Sequence, residues 1–593
     1  MSNEGSSLEE RVIRLEHEVQ ELTVAVFNLE RLLTADQKVK IKKKEAARAA
    51  EGPSEVSEEL LSWVDKSAIL PRIATTSFIL VVAVALRTAT ESAIIDQELG
   101  SMLGILYAFG LIVYGWFAYR ENNIHAPVFT LWGTIVMAAV VVEAHRVFAS
   151  VPTELAYFIL ALTGLVTAVM SRMNQVALPV FVGTLGMSLG AFAINYPSPI
   201  FPYLTVILIL ANLFAAYATS LLRASWLRWL LFGMTLLTVQ IWDLKLGIYL
   251  KDVPPEQLDF AISGFLKAIA ALAVAFGVIS LLGVLGKLQE KVSKFDLILP
   301  VLNVLWVAVV GSYAIDHGLA SPLVYGWGGC MGAVSYLWIA WWLAHYREGG
   351  ALGTTSFALG GGLLLAFTAP QAFGIDLIAI ALVGALAVAL ARLSKLRKNP
   401  GLRLVGYGLQ VYASVGLALI LRTTQGTAPS LVGALASGLL AVLAFYHYIW
   451  SRKHPFAAEE PLLVRLNKND RGAAVMLIAA LCNGFFTLRV GLYQSLDLLG
   501  MARPDNYAGA QSLLIIAAAA VLLVISLRRR NKELRNVAVV VLIIGGCKVF
   551  LLDMVQVKGL PLVISVFVFG LVAALASFVL GRWGKLGKEK PGN

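Results

Sequence analysis

The chain reads as an all-α, polytopic transmembrane bundle of about 18 spans, built from repeated helical hairpins and preceded by an N-terminal coiled coil. Three observations predict this class. Hydrophobic residues make up 58% of the 593 and charged residues 14%, with a mean hydropathy of +0.76, far from the soluble average. Stretches of about 18 or more residues with little or no charge recur along most of the chain, each able to cross a ~30 Å hydrocarbon core as a helix. Ahead of them lie four heptads of unbroken spacing. The expected organisation is a coiled coil with a basic end (1–48), a linker with an interfacial amphipathic helix (49–68), a polytopic membrane domain (69–583) and a cytoplasmic tail (584–593).

The heptads come first. Leu8, Leu15, Leu22 and Leu29 take d positions, and Val12, Val19, Val26 and Leu33 take a positions. β-branched residues at a with Leu at d favour parallel dimers. Ser6 and Glu9 have the spacing of a capping box at the helix start. The chain is therefore expected to form a homodimer; an amphipathic helix lying on the protein's own surface is the other reading. The run QKVKIKKKEAAR (37–48) suits either contact with anionic lipid or a solvated helix continuation. After a short linker, Val56, Leu60, Trp63 and Val64 share one face of an expected interfacial helix. The first 60 residues are charged and hold no apolar core of a signal peptide, so no cleavable signal is expected.

The spans follow at about 69–88, 98–119, 126–145, 152–171, 176–194, 200–222, 226–246, 259–285, 296–316, 320–345, 351–370, 374–392, 401–421, 429–450, 472–494, 508–527, 535–553 and 559–582. Prolines at 71, 179 and 202 fall close to span starts. With a cytoplasmic N-terminus, inner connections and the C-terminal tail hold 27 Lys and Arg, and outer ends and loops hold nine. That bias is the positive-inside pattern, and it predicts that both termini are cytoplasmic. It also accounts for the net charge of +11 without nucleic acid as a partner.

Charged groups at bilayer depth are costly and often mark function. Here they recur at the outer ends of odd-numbered spans: Arg87; Glu143 with Arg146; Asp243 with Lys245; Asp316 with His317; Arg422; Arg489; Lys548 with Asp553. Arg87, Glu143, Arg146, Arg422, Arg489, Lys548 and Asp553 are the candidate ligand-binding residues of an outward-facing cationic vestibule. Snorkelling to the headgroups and structural pairing between helices are the competing readings. Lys548 lies about twelve residues into its span, roughly 18 Å deep at 1.5 Å per residue. Five α-helical residues turn through about 140° beyond full turns, so Asp553 is expected to be a poor partner for it. Lys267, Asn303 and Asn483 are further intramembrane candidates. Glycine clusters at 183–190, 326–332 and 360–362 read as close helix packing. Trp338, Trp341 and Trp342 suit either a lipid anchor or a ligand wall.

Nucleotide-binding, zinc-protease and serine-hydrolase motifs are absent from the sequence. Cys330, Cys482 and Cys547 lie singly inside apolar spans and read as small packing residues. No metal, no cofactor and no catalytic residue are expected, and whether the chain is an enzyme is left open.

The N-terminal coiled coil, the Trp-containing interfacial helix, the string ALRTATES and the C-terminal RRRNKELRNVAVVVLIIGGCKVFLLDM…GLPLVISVFVFGLV together resemble a family of bacterial predicted membrane proteins with a domain of unknown function (two-three-three-nine). The resemblance spans about 55–583 and implies a multi-pass bacterial inner-membrane protein, with no established activity. Three functions are expected in turn. The first is a transport or envelope-associated protein whose vestibule takes an anionic or lipidic ligand. The second is a coiled-coil-dimerised scaffold. The third is a membrane-embedded lipid or glycan enzyme needing converging loop carboxylates such as Glu91, Asp96 and Asp316.

Overall fold

In bilayer hydrocarbon every backbone polar group must be satisfied within the protein, so a chain this apolar folds as helices. A computed structural model describes residues 66–121, 123, 125–196, 199–219, 225–252, 262–286, 292–346, 350–422, 431–454 and 471–588. The expected heptads Leu8 to Leu33, the basic run and the helix around Trp63 lie outside the described residues, as does the side chain of Arg422. The described residues hold helices and no strand.

The helices are α1 Lys66–Glu91, α2 Gln97–Arg120, α3 Ala126–Arg146, α4 Thr153–Asn174, α5 Leu178–Asn195, α6 Phe201–Thr219, α7 Ser225–Asp252, α8 Ile262–Leu285 and α9 Lys294–Asp316. Then come α10 Pro322–Tyr346, α11 Thr354–Phe373, α12 Asp376–Leu396, α13 Pro400–Arg422, α14 Leu431–Lys453, α15 Arg471–Leu498 and α16 Pro504–Arg529. Last are α17, Lys532–Gln556, and α18, Leu560–Lys588. Among the described residues, seventeen helices are long and apolar enough to cross a membrane, and α6 contributes a shorter apolar stretch, Phe201–Tyr217. Each expected span coincides with one helix. The prolines fit because proline is tolerated in the first turn: Pro179 opens α5 and Pro202 opens α6, while α1 continues through Pro71.

The helices fall into two compact units. Among the described residues, those up to Pro199, with Val206–Met234, form the first, and Ile200–Thr205 with those from Thr235 onward form the second. In the first, α2 packs on α3 and α4 on α5 through small residues. A Cβ on Gly183 would fall 1.8 Å from Thr167 Oγ1, so only glycine permits that approach. Thr130, Thr134, Thr167 and Thr184 are fully buried, and each hydroxyl bonds a carbonyl one turn back. In the second unit, α10 packs on α11, α12 on α13, α14 on α15, and α16 on α17 and α18.

Large apolar side chains point outward throughout: Phe78, Met331 and Val555 are at least 70% exposed. The interior combines large apolar side chains such as Trp242, Phe265 and Phe357 with small and hydroxyl residues at helix contacts. Trp338, Trp341 and Trp342 are exposed on α10, on the face a lipid anchor needs. Cys482 and Cys547 are also exposed, which corrects the expectation that they pack inside; Cys330 is half-buried.

Candidate functional site

In the first unit, Arg87 at the end of α1 meets Glu143 at the end of α3, with Nε–Oε1 at 2.7 Å. The Arg87 side chain is 58% exposed and that of Glu143 20%. The space beside them is about 30 Å³, bordered by Thr90, Ser101 and Tyr107. Arg146, one turn beyond Glu143, donates to the Ala193 carbonyl at 3.0 Å.

In the second unit, Lys548 makes three hydrogen bonds. Its Nζ donates to Asp553 Oδ1 at 2.9 Å, to Ser512 Oγ at 2.6 Å and to the Ala508 carbonyl at 3.0 Å. Ser512 in turn donates to Asp553 Oδ2. The Asp553 side chain is only 3% exposed. This overturns the expectation that Asp553 is a poor partner. Lys548–Asp553 is a π-helical turn within α17, and i→i+5 hydrogen bonding widens the turn so that residues five apart share one side. Neighbouring Ser565 on α18 bonds the Gly509 carbonyl of α16. Arg489 on α15 donates through Nε to Tyr507 Oη at 2.8 Å, with its guanidinium 5.6 Å from that ring. Arg489 and Lys548 thus dock on adjacent residues of α16, Tyr507 and Ala508. Lys267 is exposed on α8.

A longer polar feature runs between α13, α14 and α15. Arg403, Tyr407, Gln410 and Ser414 recur at helical spacing down one face of α13. Arg403 donates to Tyr407 Oη at 2.8 Å and to the carbonyls of His454 at 2.7 Å and Ser451 at 3.0 Å. Tyr407 donates to Ser451 Oγ at 3.0 Å, and its ring lies 5.1 Å from that of His447. Further along, Asn483 Nδ2 donates to Ser414 Oγ at 3.0 Å, and Thr487 and Ser437 hydroxyls pair at 3.0 Å. From Ser437 to Ser451 the seam runs fourteen residue steps along α14, about 21 Å of a ~30 Å core.

At its centre five buried atoms have no hydrogen-bond partner: both ring nitrogens of His447, both amide atoms of Gln410 and Oδ1 of Asn483. All three residues are fully buried. Each such atom costs about 1–3 kcal/mol when left unpaired, so this segment suits water or a polar solute better than a dry core. Of these residues the sequence singles out Asn483 alone; Arg403, Gln410, His447 and the hydroxyls carry no signal of their own. Their joint signal was the 403–407–410–414 spacing, which becomes visible only when α14 and α15 supply facing polar groups.

The fold and these buried polar groups define a multi-pass helical membrane protein. Residues 426–582, holding α14 to α17 and most of α18, match a family of predicted membrane proteins, DUF2339. That match is to the part of the chain carrying the KVFLLDM string, the most specific part of the resemblance. No curated protein and no solved structure matches the chain.

Proposed function

We propose that the chain is a transport protein of the bacterial inner membrane that passes a small neutral or anionic solute along the α13–α14–α15 seam. The observation that supports this is the run of buried polar side chains with five unpartnered atoms at its centre. Polar groups at bilayer depth mark solute and ion routes. The seam side chains are hydroxyls, amides, an imidazole and a guanidinium, with no carboxylate, which favours neutral or anionic cargo over cations. Arg489, two residues beyond Thr487 on α15, belongs in this reading to an outward-facing cationic vestibule. The lysine and arginine bias of the loops supports cytoplasmic termini, and the heptads support a homodimer.

Thiol accessibility tests the route without knowledge of the solute. In a background carrying Cys330→Ala, Cys482→Ala and Cys547→Ala, Ser414→Cys, Ser437→Cys and Thr487→Cys are each exposed to a small membrane-impermeant thiosulfonate. Reaction is expected at these positions and not at Val415→Cys, whose parent side chain faces outward. Seam thiols as inert as the Val415→Cys control would overturn the proposal. The heptads favour a second reading, a scaffold that recruits a cytoplasmic partner. Deleting residues 1–50 separates the two: a transporter retains its thiol-accessible seam and its activity, and a scaffold loses its cellular role.

A further inference from the structure

Between α8, α9 and α10 of the second unit lies a cavity of about 480 Å³, within the range of small-molecule sites. Its wall is apolar apart from a few groups, including Asn303 and Tyr336. Asn303 is 3% exposed and Tyr336 9%. The Asn303 amide nitrogen is fully used, donating to the Ala273 carbonyl at 2.8 Å and to Tyr336 Oη at 3.0 Å. Its Oδ1 accepts nothing. The phenolic proton of Tyr336 has no acceptor among the described residues. Beside the cavity, Asn303 thus keeps one unpaired acceptor atom, itself buried, and Tyr336 one unpaired phenolic proton.

The mouth of the cavity faces hydrocarbon. Val274 and Val278 on α8 and Val324 on α10 line it and are themselves 67%, 47% and 73% exposed. A ligand enters sideways from the bilayer. Asn303 lies nine residues into α9, about 13 Å along the helix and so near the middle of the core. A charged headgroup at that depth is costly. A neutral hydroxyl is not, and it matches the wall: its proton goes to Asn303 Oδ1 and its oxygen accepts from Tyr336. The small residues of α10 leave the room. A Cβ on Gly328 meets nothing within 4 Å, whereas one on Gly329 would strike Thr368 at 2.2 Å.

We infer that this cavity binds a neutral membrane lipid, a long-chain alcohol by chemical class, with its hydroxyl held by Asn303 and Tyr336. The probe is hexadecanol carrying a diazirine near its hydroxyl end, applied to the full chain in phosphatidylcholine nanodiscs. Its methyl ether serves as the comparator. The expected result is saturable crosslinking to peptides from α8–α10, displaced by unlabelled hexadecanol and at least tenfold weaker for the ether. Gly328 lines the cavity with open space at its Cβ position, and Gly328→Leu is expected to reduce this crosslinking at least tenfold at an unchanged unfolding temperature. Tyr336→Phe is expected to weaken it less, since Asn303 Oδ1 remains. Crosslinking spread evenly over outward-facing helices, equal labelling by alcohol and ether, or labelling unaffected by Gly328→Leu would each overturn the assignment.

Discussion

Two ion pairs at the ends of odd-numbered spans have the same chemistry and different surroundings. Arg87–Glu143 links α1 to α3, with Arg87 more than half exposed. Lys548–Asp553 lies within α17, with Asp553 almost wholly buried and Ser512 and the Ala508 carbonyl closing the ring. An exposed pair gains little, because solvent screens it and two long side chains lose freedom. A buried pair does not add much over an apolar substitute either, but breaking it leaves an uncompensated charge. The difference shows that a charge near a helix end says little by itself; the partners decide whether it matters.

The largest effect is expected where the buried ring is broken. Asp553→Ala should cost about 3–5 kcal/mol, read as loss of helical circular dichroism at lower SDS in mixed micelles. The paired change Lys548→Met with Asp553→Leu should recover most of that loss. A double variant as weak as the single one would mean that the ion pair itself is required. Ser512→Ala comes next, at about 1–3 kcal/mol, because it leaves Lys548 and Asp553 each short of one hydrogen bond.

Gln410→Leu extends the contrast to the seam. It removes two unpartnered atoms, so stability should hold or rise by about 1 kcal/mol while the reactivity of Ser414→Cys is lost. A clear drop in stability would show that the amide is a structural contact. Arg87→Gln is expected to do least, about 0.2–1 kcal/mol and less in high salt. A loss as large as that of Asp553→Ala would erase the distinction between the two pairs.

Helix positions were legible because hydropathy and bilayer thickness leave a chain few alternatives: each expected span falls on one helix of α1–α18. The charged end residues were legible for the same reason, since charge stands out against apolar sequence. Their partners were not. Ser512 lies 36 residues from Lys548 in sequence, and nothing local announces that α16 and α17 meet there. The π turn was hidden as well, because KVFLLD is ordinary helical sequence with no Gly or Pro to mark it. Gln410 and His447 went unnoticed because single amides and imidazoles are unremarkable until a neighbouring helix leaves them unpaired.

The π turn has one more consequence. A wide turn carries an extra residue, so it works as a phase shift between two regular stretches of α17. The stretch from Lys532 sets one angular register, and Met554–Gln556 with the turn into α18 starts from another. Deleting one outward-facing residue, such as Leu551, would return α17 to the ordinary period without removing any charged group. It would leave Lys548 and Asp553 four residues apart and still on one helix face, while changing the angle at which the final hairpin leaves. The geometry of the last two helices is therefore timed by a single residue of chain length.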